Sequence, residues 1–382
     1  QTDLCVESTV WPGLECGHKL VPVECAGCYA PGGRFAHVAS VLMNVTTARA
    51  AGVGTILMCA PPRQDTGRIH DGMLFAARLA GATHVLTLGG VQGLAAMAFG
   101  LFTHGGPRAN ILTGPGNRFV VAAKTLLFGE VGIDLVAGPT ENAILADDSA
   151  DPHLVATDLV GQAEHGFDSP TTLLTTSHSL AEQVIKLMPT YLGELLADEP
   201  QCAAAVAWRD YGAVGVCENR EELCAASDDI ASEHLQVMCR KEELDFYHSR
   251  LRNYGSLFLG EETNVSYGDK AAGPNHVLPT RRAASYTGGL NLGCFLKRLS
   301  YQRVVGDPTK SLKLAEVTAR ISRLEGMEGH ARSADARLRR YLSPEAFAEL
   351  DLSVQQGAAA TNTDLGAAIE ARRSAEKRPR LA

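Results

Sequence analysis

The sequence has 382 residues, 45% hydrophobic and 20% charged, enough apolar material for about two or three packed domains. Its formal net charge of −8 excludes a generally basic, nucleic-acid-binding surface, though not a local site for an anion. No apolar run approaches the roughly 18 residues of a membrane span and no signal-peptide pattern is present, so a cytoplasmic setting is the default expectation.

The first 35 residues are rich in Pro and Gly and carry no clear element. From Val38 the pattern alternates: a helix over Val38–Ala51, a strand over Gly54–Cys59, a helix over Asp71–Ala80 and a strand over His84–Leu88. Gly89-Gly90 leads into a helix ending at Phe99. A short strand follows at Asn110–Leu112, then the loop Gly114-Pro-Gly-Asn117, a helix over Arg118–Phe128 and a strand at Ile133–Val136. Such alternation predicts parallel strands covered by helices. A second α/β stretch has strands at Ala143–Ala146, Thr171–Leu174, Ala213–Val216 and Ser256–Leu259. After Asn291 the chain turns helical and basic, and beyond about residue 350 a loosely held tail is expected. The expected class is thus α/β, with incomplete Rossmann-like parallel-sheet domains and a small helical C-terminal extension. The boundaries read 1–139, 140–290, 291–345 and 346–382.

The ten cysteines do not read as a disulfide framework in a chain of this length. Cys59, Cys217 and Cys239 sit in apolar stretches as buried thiols, and Cys25 with Cys28 forms a lone C-x-x-C that lacks the second pair of a zinc knuckle.

Four polar words could carry chemistry. In Gly161-Gln-Ala-Glu-His165, a helix would put Gln162 and His165 on one face within reach of one metal ion; a polar surface helix reads the same way. Glu233-His234 could exchange protons, although the dipeptide is common. Asp269 in Tyr267-Gly-Asp-Lys270 is a hard ligand, and His276 lies in a loop stiffened by Pro274 and Pro279; turn formation explains that segment equally well. His330 closes Glu325-Gly-Met-Glu-Gly-His330. Together these nitrogen and oxygen donors make a zinc set with an open position for an alcohol. The glycine loops at Gly89 and Gly114 could receive a phosphate at a helix N-terminus, but neither has the G-x-G-x-x-G fingerprint.

In their order and spacing these words resemble the histidinol dehydrogenase family, from about Gly13 to Tyr341. The resemblance also rests on Tyr29-Ala-Pro-Gly-Gly33, Val131-Gly-Ile-Asp134, Ala137-Gly-Pro-Thr-Glu141 and Gly273 to Thr280. It implies an NAD-dependent dehydrogenase that oxidises a primary alcohol through the aldehyde to the carboxylate. It implies a homodimer whose zinc is held by Gln162, His165, Asp269 and His330, the last from the partner subunit. Glu233 and His234 would be the acid/base pair. Thr140, His276 and Glu325 match substrate contacts, as do the metal-set residues and His234, and Tyr29, Gln92 and Asn117 match NAD contacts. Gly17-His-Lys19, Gly33-Arg-Phe-Ala-His37, Gly166-Phe-Asp-Ser-Pro170, Tyr254 to Thr263 and Tyr286-Thr-Gly-Gly289 look like the branch that converts 2,3-dihydroxypropane-1-sulfonate to sulfolactate. There Arg34, His37 and Lys270 become candidates for the sulfonate. The alternatives are oxidation of L-histidinol and a catalytically silent, metal-binding relative. Family members carry an N-terminal segment that does not appear here, so this chain, which opens on Gln1, reads either as a partial sequence or as one whose stability and dimerisation are compromised.

Overall fold

The structure, a computed structural model, describes residues 4–7, 11–32, 35–101, 105–198 and 203–355. Arg34 and the tail beyond 355, for which expectations are given above, lie outside the described residues. Two compact units form: Pro22–Leu296, and Gln1–Val21 with Lys297–Ala382.

In chain order, β1 (Leu4–Glu7) and β2 (Leu14–Pro22) precede β3 (Cys25–Tyr29), α1 (Val38–Ala50), β4 (Thr55–Ala60), α2 (Asp71–Ala80) and β5 (His84–Thr87). Next come α3 (Gly90–Phe99), β6 (Ile111–Thr113), α4 (Arg118–Leu127) and β7 (Gly132–Ile133). Strands β3 to β7 form a five-stranded sheet in the order β5-β4-β3-β6-β7, parallel at every pairing. Parallel neighbours need crossovers, which α1 to α4 supply. The alternation expected from Val38 onward is therefore present. The sequence reading places no strand before Val38, whereas β3 is the central strand. All but Tyr29 of its residues are small and they lie between Pro- and Gly-rich segments, so the apolar signal is faint although all five are buried. Alternate side chains of β3 enter separate cores: Ala26 and Cys28 pack with Val41, Val45 and Met58, while Cys25 and Tyr29 pack with Leu57, Leu94 and Leu112. The two thiols of the C-x-x-C thus face opposite sides of the sheet.

The second sheet repeats the plan with β8 (Asn142–Ala146), α5 (Pro152–Ala163), β9 (Thr171–Thr175), α6 (His178–Asp198), α7 (Ala204–Tyr211) and β10 (Gly212–Val216). It continues with α8 (Arg220–Ile230), β11 (His234–Met238), α9 (Leu244–Arg250), β12 (Ser256–Leu259) and α10 (Val265–Lys270). The order is β10-β9-β8-β11-β12, again all parallel. Local chemistry fixes the helix starts: Asp151 accepts from the His153 N–H with Pro152 opening α5, and Asn117, Asn219 and Asn264 cap α4, α8 and α10. Strand β11, like β3, has no counterpart in the sequence reading.

In each sheet the first strand is central and the order reverses beside it, between β3 and β6 and between β8 and β11. Residues 134–141 run from the carboxyl end of β7 to the amino end of β8. Gly116 N–H donates to Ala137 O at 3.0 Å, and Thr280 N–H to Val136 O at 2.9 Å. The buried Lys124 ammonium pairs with Asp134, whose other oxygen accepts from Gly114 N–H at 2.7 Å. This segment therefore ties the carboxyl edge of the first sheet to the amino edge of the second.

In the other unit β2 lies between β1 and β13 (Leu296–Val304), and β1 pairs with β2 antiparallel. α11 (Leu312–Leu324) and α12 (Glu328–Tyr341) form a hairpin joined by Arg323 to Asp335 at 2.6 Å, followed by α13 (Pro344–Gln355). Strand β13 falls in a stretch whose sequence reads as helical. Among the described residues, no helix is long and apolar enough to cross a membrane, and the cysteines are free thiols.

Candidate active site

The site gathers at the amino edge of the second sheet. Thr140 and Glu141 immediately precede β8, while Glu233 and His234 stand at the start of β11. Because β8 and β11 are in register from Asn142 opposite His234, the two pairs become neighbours. Helix α5 returns antiparallel to its strand and delivers Gln162 and, just past its end, His165 to the same edge. Asp269 comes from α10 and His276 from the loop that follows.

Glu233, only 6% exposed, anchors the group. Its Oε2 accepts from the Thr140 hydroxyl and from Glu141 N–H at 3.0 Å. Thr140 Oγ1 in turn accepts from Gln162 Nε2 at 2.6 Å, so the amide nitrogen is engaged and Oε1 is the atom Gln162 can present to a cation. His234 Nδ1 lies 3.1 Å from Glu141 O and 3.5 Å from Glu233 Oε2. Donation to that carbonyl leaves Nε2 as the bare lone pair. This Nε2 is buried without a hydrogen-bond partner, 3.9 Å from Asp269 Oδ1.

Asp269 is the hub. One oxygen, Oδ1, lies 3.3 Å from His276 Nδ1, and the other, Oδ2, lies 3.9 Å from both His165 Nε2 and Lys270 Nζ. The His276 ring is fitted against α10: a Cβ at Gly268 would stand 2.0 Å from His276 Cε1, so only glycine permits that approach.

Burial dominates the electrostatics. It pushes Glu233 well above the ordinary carboxylate range and Glu141 up to about 7, even though each carboxylate accepts hydrogen bonds. It pushes His234 down to about 4, against the pull of Asp269, and lowers His165. His37, beside His165, Lys270 and Asp269, is likewise held down to about 4 by burial. Burial alone would raise Asp269, but the His276 hydrogen bond and the facing His234, His165 and Lys270 outweigh it and hold its carboxyl below the usual range. His234, His165 and His37 are thus neutral and Asp269 is anionic, the state in which such groups ligate metal.

The donors suit zinc. His234, Asp269 and His276 offer atoms within 4.8 Å of one another, with His165 and Gln162 adjacent, and the unpartnered His234 Nε2 is an acceptor awaiting a proton or a cation. Glu325 caps the end of α11 and His330 lies in α12, both exposed and both in the other unit.

The residues expected at NAD collect around the switch point of the first sheet. Tyr29 ends β3, buried, with its hydroxyl accepting from Gly90 N–H at 3.1 Å. Asn117 follows β6 and accepts from Phe119 and Val120 N–H at the start of α4, and Gln92 is exposed in the first turn of α3. Gly114 joins the loops. Its φ of +114° and a Cβ position 2.0 Å from Tyr29 O admit no other residue. Ligands of open α/β sheets bind at such carboxyl-edge crevices.

The sequence reading did not single out Glu141 or Gly268. Glu141 lies within a motif quoted above, but only the pairing of β8 with β11 shows that it holds both Glu233 and His234.

The profile of the family described as histidinol dehydrogenase matches residues 2–338. A sulfopropanediol 3-dehydrogenase of Ruegeria pomeroyi is 55% identical over 342 residues, 90% of this chain and 77% of that protein. A histidinol dehydrogenase homolog of Pelagibacter ubique is 54% identical over 329 residues, 86% of this chain and 75% of that protein. The crystal structure of histidinol dehydrogenase from Elizabethkingia anophelis matches with a TM-score of 0.79 at 32% identity, covering 89% of this chain and 76% of that one.

Proposed function

The chain belongs to the histidinol dehydrogenase family of NAD-dependent oxidoreductases, and we propose that it oxidises the primary alcohol of 2,3-dihydroxypropane-1-sulfonate to the carboxylate of sulfolactate. Members of this family use NAD and zinc and are homodimers. The observation that carries the proposal is the buried chain from Gln162 through Thr140 to Glu233, beside a His234 whose Nε2 has no partner.

Zinc would be held by Gln162, His165 and Asp269, with His330 of the partner subunit completing the set. Asp269 divides the site in favour of this assignment: Oδ2 faces His165, whereas Oδ1 faces His234 and His276. His234 and His276 are then left to the substrate. When bound, zinc orients and polarises the alcohol oxygen, and NAD accepts the hydride of each oxidation.

His234, neutral and bare at Nε2, takes the alcohol proton. Thr140 and the Glu141 N–H hold Oε2 of Glu233, so Oε1 is left to take a proton from the water that adds to the aldehyde. A carboxylate made more basic by burial suits that task. The net change is one alcohol, one water and two NAD giving one carboxylate, two NADH and three protons. Tyr29, Gln92 and Asn117 are assigned to NAD, and Thr140, His276 and Glu325 to the substrate.

The sulfonate requires a cation, and the exposed Lys270, 3.9 Å from Asp269, is the first candidate, with His37 and Arg34 as further candidates. The test compares kcat/KM for the sulfonated diol and L-histidinol. The diol is expected to be preferred, and Lys270→Ala should raise its KM about tenfold, the loss of one charge-assisted contact, and far more than the KM of an uncharged diol. Preference for L-histidinol would overturn the substrate assignment and leave the roles of Glu233 and His234 standing.

A further inference from the structure

Behind the site runs a second polar network that touches none of the reacting atoms. Gln236 is fully buried on β11, two residues beyond His234 and on the same face of the strand. Its Oε1 accepts from Asn142 Nδ2 on β8 at 3.1 Å, and its Nε2 donates to Asp158 Oδ2 on α5 at 2.7 Å. Asp158 Oδ1 accepts from Asn264 Nδ2 at 3.2 Å, and Asn264 Oδ1 accepts from Tyr267 N–H at 3.1 Å, capping α10.

The network joins the elements that carry the site. Asp158 lies one turn before Gln162 on the same face of α5. Asn264 sets the start of the six-residue helix that carries Asp269. A helix this short has little stability of its own, so its position depends on its cap and contacts. Gln236 ties the pair to the strand that begins at His234. We propose that Asp158 and Asn264 are positioning residues for the metal set, fixing the α10 ligand Asp269 against Gln162 of α5 and His165 just beyond its end. This rests on the zinc assignment above. Outer partners of this kind are worth about 10- to 100-fold in metal affinity.

The pair allows an exchange test, because a carboxylate and an amide face each other. Asn264→Asp keeps an acceptor for Tyr267 N–H but sets two carboxylates against each other. In Asp158→Asn combined with Asn264→Asp, the new amide at 158 accepts from Gln236 Nε2 and donates to the new carboxylate at 264, so every bond has a counterpart. Zinc dissociation constants would be measured on the whole chain by competition with a chromogenic chelator, with thermal melting of the zinc-free proteins alongside. The expected result is tight binding by the parent, at least tenfold weaker binding by Asn264→Asp, and recovery to within about threefold in the exchanged double variant. If Asn264→Asp does not fold, Asn264→Ser, which can keep the cap but loses the donor to Asp158, takes its place in the comparison. Unchanged zinc affinity in the single variant, even with altered melting, overturns the inference, as does a double variant that is not rescued. A parent chain that binds no zinc overturns the metal assignment itself and the inference with it.

Discussion

Replacing Glu233 by Gln should separate the two oxidations. The change preserves size, and Gln Oε1 can still accept from Thr140 and the Glu141 N–H, so only the charge assistance of two hydrogen bonds is lost, about 1–2 kcal/mol. Against this, the variant no longer buries an ionisable carboxyl. Burial raises the folded pKa of Glu233 above the unfolded value of 4.5. Its proton therefore binds more tightly in the fold, a stabilisation present below 4.5 and lost as pH rises through the folded value. The zinc-free parent should lose stability relative to Glu233→Gln as pH rises above 4.5, which urea unfolding at each pH would measure. In catalysis the variant loses the group that takes a proton from water. The aldehyde step should slow by about 10²- to 10⁴-fold, while alcohol oxidation, served by His234, changes far less. Rapid-mixing absorbance of NADH, started separately from alcohol and from aldehyde, resolves the two. Parental rates of aldehyde oxidation in Glu233→Gln would refute the role given to this carboxylate.

Acid should remove the stability that two buried histidines contribute to the zinc-free protein. His37 and His234 are lowered from 6.5 to about 4, so the unfolded chain takes up protons that the fold refuses; each contributes stability that is full above 6.5 and falls by up to about 3 kcal/mol as pH drops to 4. Glu141 and Glu233, raised by burial, contribute in the opposite sense over this range, so the comparison is with His37→Gln: between pH 7.5 and 4.5 the parent should lose more stability in urea unfolding than that variant, and an equal loss would contradict the reading. Gly268→Ala places a methyl against the His276 ring and should weaken zinc binding about tenfold or more by shifting α10 and its ligand Asp269, read by chelator competition. Asn117→Ala removes the cap from α4 at a cost of about 1 kcal/mol in stability and should raise KM for NAD with little change in KM for the alcohol.

The alternation from Val38 onward was legible because its helices and strands carry enough apolar residues to show their period. β3 and β11 were not, for different reasons. Cys25-Ala-Gly-Cys-Tyr29 is buried through small residues, which leave little hydropathy signal. His234-Leu-Gln-Val-Met238 begins at a catalytic candidate and contains Gln236, whose burial is intelligible only once Asn142 and Asp158 are seen to satisfy it. Within the site, helical spacing suggests pairing Gln162 with His165, although α5 ends at Ala163 and a turn beyond it carries His165. Glu233 and His234 could not be joined to Thr140 and Glu141, because that contact depends on the register of two strands about ninety residues apart. Nor does sequence reveal that the second sheet gathers these residues at its amino edge, when the general rule for open parallel sheets favours the carboxyl edge. The reversal follows from the linking segment 134–141, which leads from the carboxyl edge of the first sheet directly to the amino edge of the second.

The most direct test of the whole account is the stoichiometry of NADH formed per molecule of 2,3-dihydroxypropane-1-sulfonate consumed by the zinc-loaded protein. Two NADH, with sulfolactate as the product and no aldehyde accumulating, is the predicted result. One NADH with aldehyde released would contradict the four-electron chemistry assigned to Glu233 and His234.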